Sequence, residues 1–334
     1  PVFLSSPVFC CPQFSPVLEA LSVNLQMVAE PIDADILHAH TWYTLMAGFW
    51  AKKLYGGPLV ATVHSLEPLR PWKEEELGSA YRMSNWMEKI GLEGCDKIIA
   101  VSGETKKDIL NHFQTNEGRV EIIHNGVDLS RYRFSSSRKS LYRLGITRRY
   151  VLFVGRITRQ KGIFTLIDAA DKLPEDVQVV LVAAAPDTKE IEEELREKVS
   201  RKKNRIIWIN RKLEEEDLVE LYSNAEVFCC PSIYEPFGIS NLEAMACESP
   251  VVASAVGGIK EVVVPEETGI LVEPGDSNKL AEALGRILCD KNLAQIFGKN
   301  GRKRVEKYFS WKAITRQTVK LYEHCLSEMQ NEAR

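Results

Sequence analysis

No apolar run in this 334-residue chain approaches the roughly 18 residues that a membrane-spanning helix needs. Charge of one sign is lacking too. Forty-three Lys and Arg stand against 46 Asp and Glu, a net of −3, which argues against a dedicated nucleic-acid binder. No basic stretch precedes the opening residues, so a signal peptide is not evident, and the first residue is Pro1 where a complete chain would begin with Met. The expectation is a chain that is the remainder of something longer. Glycosylation acceptors of the N-x-Ser/Thr form are absent, and the eight cysteines contain no C-x-x-C. Two adjacent pairs occur, Cys10-Cys11 and Cys229-Cys230, but neighbouring side chains on a strand face opposite ways and make neither a bridge nor a metal knuckle. The expected compartment is a reduced cytoplasm. Neither a G-x-x-x-x-G-K-[ST] loop nor a G-x-G-x-x-G turn is present, which disfavours P-loop chemistry and a dinucleotide-dependent dehydrogenase.

What the chain does have is alternation. Short β-rich runs at Asp35–His40, Pro58–His64, Lys97–Ser102, Val120–His124, Val151–Gly155, Val177–Ala183, Arg205–Ile209, Val227–Pro231, Pro250–Ser254 and Gly269–Val272 are separated by helical patterns. These include Trp42–Tyr55, Glu74–Gly91, Phe164–Leu173 and Asn278–Cys289. Repeated βα units predict α/β architecture with parallel, doubly wound sheets, whose ligands gather at the carboxyl ends of the strands. Asn-Gly, a serine run and basic residues interrupt the pattern over Asn125–Arg149 and mark a domain break there. The expected domains are 1–135, 136–310, and a final helix in 311–334 that crosses back to the first. Ser310 is the expected N-cap of that helix.

Three constellations carry chemistry. In the first, an apolar run from Val151 ends in Gly155, and the turn that follows presents Arg156 and Lys161-Gly162 ahead of a helix. Fixed cations beside a helix N-terminus suit a diphosphate. Residues 131–161 hold ten Lys and Arg and no acid, although a solvated basic linker would look similar. In the second, the string Glu235-Pro-Phe237-Gly238-Ile239-Ser240-Asn241-Leu242-Glu243 runs from a loop into a helix. Gly238 allows close backbone approach, the amides of Ile239, Ser240, Asn241 and Leu242 form a helix-end anion site, and the two carboxylates suit sugar or ribose hydroxyls. Bare surface acids at a helix start are the plainer reading. In the third, His38 and His40 share one face of a strand and His64 ends the next. That permits a substrate contact, satisfied structural histidines, or a three-histidine zinc site, and no carboxylate clusters with them to favour zinc. Asp33-Ala-Asp35 precedes a strand, at the end opposite the expected ligand side, and reads as a turn rather than a metal motif.

Together these strings resemble the GT-B glycosyltransferases of family 4. The family's Glu-x7-Glu element appears as Glu235 to Glu243 and its Gly-Arg…Lys-Gly element as Gly155-Arg156…Lys161-Gly162. Asn125-Gly-Val-Asp128 and Val256-Gly-Gly-Ile-Lys-Glu-Val262 are also similar to family strings. His38-Ala-His-Thr-Trp-Tyr-Thr44 and His64-Ser-Leu-Glu-Pro-Leu-Arg-Pro-Trp-Lys73 resemble, more narrowly, glycogen synthases of the actinobacterial type.

The resemblance implies two Rossmann-like domains facing a cleft. It also implies retaining transfer of glucose from a nucleotide sugar, usually ADP-glucose, to an α-glucan end or to glucose 1-phosphate. Arg156, Lys161 and the amides of Ile239–Leu242 would stabilise the departing diphosphate. Glu235 would hold the hexose, Glu243 the ribose, and His64 would contact the transferring sugar, with no metal or other cofactor, nucleic acid or membrane involved. Many relatives carry Asp where this chain has Thr41, and the family's leading strand with its glycine-rich loop has no counterpart here, so the first domain is expected to be incomplete. The rival readings are another family-4 hexosyl- or mannosyltransferase and a non-catalytic nucleotide-sugar-binding remnant.

Overall fold

The computed structural model describes residues 15–74, 78–202 and 205–332; Cys10-Cys11 lies outside them. The chain divides into two units. One ends at Ile123 and resumes at Gln317, and the other is His124–Arg316.

The first unit holds four parallel strands in the order β1 (Leu37–His40), β2 (Leu59–Val63), β3 (Lys97–Ala100) and β4 (Val120–Ile122). β2 and β3 are buried along their whole length. Helices cover both faces of such a sheet, so its strands read as unbroken apolar runs rather than alternating ones. Register places Ala39 beside Ala61, and Ala61 beside Ile98. Small residues there leave room for the helix Thr41–Tyr55, whose Leu45, Ala47 and Ala51 enter the same core. The helix expected over Glu74–Gly91 instead runs Tyr81–Glu93. It follows a 3-10 turn, Gly78–Ala80, in which Gly78 holds φ +56°, outside the right-handed helical region.

The second unit holds six parallel strands in the order β10-β9-β8-β5-β6-β7. Their ranges are β5 Arg149–Arg156, β6 Val177–Ala184, β7 Ile206–Ile209, β8 Val227–Cys230, β9 Val251–Ser254 and β10 Gly269–Val272. Val151, Phe153, Val179, Leu181 and Val227 form one face of the sheet and pack on the helices Ile163–Ala169 and Ser277–Cys289. The last helix, Trp311–Glu332, starts in this unit and ends in the other. Ser310 Oγ accepts the Ala313 amide at 3.3 Å, so the serine caps it. Helices that the sequence pattern did not announce include Ser15–Met27 and the short Lys139–Arg143 and Ile259–Val262.

Candidate active site

The strand order of the second sheet reverses between β5 and β8: β6 and β7 extend one way from β5, and β9 and β10 extend the other way from β8. In an open parallel sheet the crevice outside the carboxyl ends at such a switch point receives ligands. The Gly155–Gly162 turn follows β5, and the Pro231–Gly238 loop follows β8. Sequence-distant chemistry is thereby brought together.

Backbone contacts stitch the two loops. Ile233 N donates to Gln160 O at 2.8 Å. Thr158 Oγ1 accepts the Lys161 amide at 3.1 Å and shapes the 3-10 turn Arg159–Lys161. Gly162 sits at φ +65°, and a Cβ there would lie 1.8 Å from the Pro231 carbonyl oxygen, so only glycine fits. From the other side, Gly258 N donates to Glu235 O at 3.2 Å. The Val256–Val262 string therefore supports the Glu235 loop.

Within this frame Lys161 Nζ lies 2.5 Å from Glu235 Oε2, which Ser232 Oγ also donates to at 3.3 Å. Burial works against the Lys161 ammonium, but the Glu235 carboxylate beside it holds its pKa above the ordinary lysine value. Arg156 pairs with Asp187, in the turn after the neighbouring β6. Each cation of the turn is thus already matched to a carboxylate. Glu243 is bound differently. Tyr222 Oη donates to its Oε2 at 2.8 Å, Tyr132 also bonds it, and burial raises its pKa despite both hydroxyls.

Gly238 holds φ +95° and caps the helix Ile239–Ala246. Of the four amides expected to face an anion, that of Asn241 donates to Gly238 O at 3.0 Å. The side chains of Asn241 and Leu242 are fully buried, whereas Ile239 is exposed. Phe237 is buried as well, its ring 5.6 Å from His124 and 6.0 Å from Phe309. It is therefore a structural anchor for the loop. Asp187, Tyr222 and Tyr132 escaped the sequence reading because each meets its partner across 20 or more residues of chain, whereas Ser232 stands three residues from Glu235 in the same string. The only local sign was Pro186-Asp187 closing a strand, where turn residues are common.

In the first unit the three histidines do come together. His38 and His40 stack with ring centroids 4.3 Å apart, and His40 and His64 stack at 5.4 Å with His40 Nδ1 3.1 Å from His64 Nε2. His38 is anchored by Thr62 Oγ1 at 2.8 Å and Tyr322 Oη at 2.5 Å. Burial first, then the adjacent His40 and His64, lowers its pKa to about 4. Among the described residues no three His, Cys, Asp or Glu side chains converge to hold a metal, so the zinc alternative finds no ligand set. Both ring nitrogens of His38 are engaged by Tyr322 and Thr62, and His40 Nδ1 and His64 Nε2 engage each other, so the three rings do not aim at one point.

Comparison with known proteins agrees with this arrangement. Residues 3–131 match the family described as Glycosyltransferase Family 4, and residues 142–304 match Glycosyl transferases group 1. An alpha-maltose-1-phosphate synthase from Mycolicibacterium smegmatis is 43% identical over 320 residues, covering 91% of this chain and 83% of that protein. A glycogen synthase from Mycobacterium tuberculosis is 29% identical over 296 residues, covering 86% of this chain and 68% of that one. The solved sucrose-phosphate synthase of Thermosynechococcus elongatus superposes with a TM-score of 0.78 at 31% identity, covering 94% of this chain and 78% of that structure. Two parallel-sheet units, the second with paired loops at its switch point, define a glycosyltransferase of GT-B fold. The chain belongs to glycosyltransferase family 4. No helix among the described residues is long and apolar enough to cross a membrane.

Proposed function

We propose that this enzyme moves glucose from ADP-glucose, with retention of anomeric configuration, to an α-glucan end or to glucose 1-phosphate. The observation that carries this reading is the Lys161–Glu235 pair at 2.5 Å, flanked by Arg156 at the carboxyl end of β5. As the donor bond breaks, negative charge grows on the leaving diphosphate. Lys161 and Arg156 would meet it from fixed positions, so little reorganisation is needed when the charge develops. Glu235, buried and held by Ser232, would accept hydroxyl protons of the hexose, and Glu243, beside its two tyrosines, those of the ribose. The acceptor hydroxyl would attack the same face through an oxocarbenium-like state, with His64 of the first unit contacting the transferring sugar.

Because side-chain cations supply the positive charge, the reaction should need no metal ion, and activity should survive EDTA. The described cysteines are unbridged, in keeping with a cytoplasmic location. The 43% identity to an alpha-maltose-1-phosphate synthase supports the glucosyl reading. Donor hydrolysis and transfer with ADP-, UDP- and GDP-sugars tests it. Turnover with ADP-glucose is the expected result. A preference for GDP-mannose would replace it with a mannosyltransferase, and no turnover with any donor would leave a nucleotide-sugar-binding remnant.

A further inference from the structure

The backbone of the first unit is bent to make its histidines meet. Register sets His40 beside Thr62, so His38 and His40 share one sheet face with Thr62 and with His64, the residue after β2. At the carboxyl end of β1 the chain enters the helix Thr41–Tyr55 through Thr41 at φ +59°. A β-branched residue is an outlier in the left-handed region, and such strain persists only where the surroundings over-determine it. The Thr44 hydroxyl does so here. Its Oγ1 accepts the His40 amide at 2.9 Å and donates to the His40 carbonyl at 2.8 Å.

The turn delivers the His40 ring onto a fixed footing. His38 has both nitrogens engaged, Nδ1 by Tyr322 of the last helix and Nε2 by Thr62, a buried residue of β2. Burial lowers the pKa of His38 to about 4 and that of His40 in the same direction, so both are neutral near pH 7. His40 stacks on this ring, and its Nδ1 lies 3.1 Å from His64 Nε2. A hydrogen bond between imidazole nitrogens needs an N–H on one and a lone pair on the other, so each ring of the pair sets the tautomer of its partner.

We propose that His40 is the positioning residue for His64: its Nδ1 accepts the His64 Nε2 proton, which fixes the ring and makes His64 Nδ1 an acceptor for a hydroxyl of the transferring sugar. This rests on the transferase reading above, which set His64 against that sugar, and adds what aims it. The direction of the bond follows from the rings. Nε2–H is the more stable tautomer of a neutral histidine, and this arrangement puts both residues in it. The reverse bond would force both into the rarer Nδ1–H form.

Double-mutant kinetics on the whole chain, with ADP-glucose as donor, test it. His40→Leu should lower kcat by about 10- to 100-fold, with ADP affinity at the wild-type level by titration. His40→Asn returns an acceptor oxygen near the place of Nδ1 and should recover most of the loss. In a His64→Ala background H40L should cost nothing further, because its effect passes through the missing ring. An equal loss in both backgrounds makes His40 a direct or purely structural residue and overturns the proposal, as does wild-type kcat in H40L. Histidine ring 15N spectra at about pH 8, where a histidine is ordinarily neutral, need no turnover. His64 is identified in them by its absence in H64A. A protonated Nε2 on His64 in the wild type, giving way to a mixture of tautomers in H40L, supports the pairing. Identical spectra in the two proteins, or Nδ1 protonation in the wild type, refute it. A wild type that turns over no nucleotide sugar yet keeps this spectral change fails the transferase reading alone. Turnover without the spectral change fails the pairing alone.

Discussion

The two units treat the cations beside their strand ends in different ways. In the second, Lys161 and Arg156 each have their own carboxylate, Glu235 and Asp187, and the loops that carry them are locked by backbone hydrogen bonds and by glycines that admit no side chain. In the first, Arg70 and Lys73 each lie 3.6 Å from the same oxygen of Glu67, and burial raises the pKa of the neighbouring Glu88. A paired cation is preorganised; it stands ready to meet charge that appears only as a bond breaks. The contrast predicts that perturbing the charge pairs of the second unit changes rate, whereas perturbing the charge cluster of the first changes stability and its response to pH.

The largest effect should fall on the clamp. Lys161→Ala and Arg156→Ala are each expected to lower turnover by about 10²–10³, with ADP-glucose affinity falling much less. Lys161→Ala also strands Glu235 as a buried charge, so its melting temperature should drop. The doubly neutral Lys161→Gln/Glu235→Gln should recover stability without recovering rate. Steady-state kinetics beside thermal melts separate the two, and wild-type turnover in a folded single variant would remove the clamp from the mechanism.

Next comes the backbone that holds the clamp. Gly162→Ala places a Cβ 1.8 Å from the Pro231 carbonyl oxygen, at φ +65°. It should cost about 2–5 kcal/mol in denaturant titration, as steric displacement adds to left-handed strain. Gly145→Ala is the control, with φ +72° and nothing within 4 Å of the new Cβ. Only the conformational cost of about 1–2 kcal/mol should remain there. Equal losses at the two sites would mean that the loop yields and that its rigidity is not part of the clamp.

The two glutamates should then separate. Glu235→Gln removes the partner of Lys161 and should reduce kcat by about 10-fold or more, whereas Glu243→Gln should mainly raise the KM for the donor. If nucleotide titration finds Glu243→Gln binding ADP as tightly as wild type, its bond to Tyr222 is its whole role.

Much of this is legible in the sequence, and the division follows from physics. β10 falls on the expected Gly269–Val272, and the other strands differ by one to three residues at their ends, because buried parallel strands are written as local apolar runs. Glu235 and Lys161 were legible because each sits in a compact string that ends a strand. Their 2.5 Å contact was not, since 74 residues separate them and only the reversal between β5 and β8 joins them. Asp187 and Tyr222 were hidden for the same reason. Ser15–Met27 has only a weakly sided apolar pattern, and Gly78 broke a helix that periodicity alone would have carried through. Arg70 and Lys73 were visible only as part of a family string; that they share one carboxylate oxygen depends on the fold.

The smallest effect is a pH dependence, and it probes the first unit directly. Glu88 has its pKa raised from 4.5 to about 8, so folding favours its protonated form. Its contribution to stability is complete below about pH 4.5 and is lost as the pH rises toward 8. His38 runs the other way. Its pKa falls from 6.5 to about 4, so its contribution is present above pH 6.5 and lost as the pH falls through that interval. Between about pH 4.5 and 6.5 the two slopes oppose each other, and from 6.5 to 8 Glu88 acts without His38. Wild type should therefore lose stability relative to Glu88→Gln over that upper interval, by at most about 1.4 kcal/mol per pH unit. Urea titrations of the pair at pH 6.5, 7.25 and 8 read the difference, in which ionisations common to both proteins cancel. A difference that stays constant would mean that Glu88 is ionised throughout. Arg70 and Lys73 would then face two charged carboxylates, and the contrast between the units would weaken.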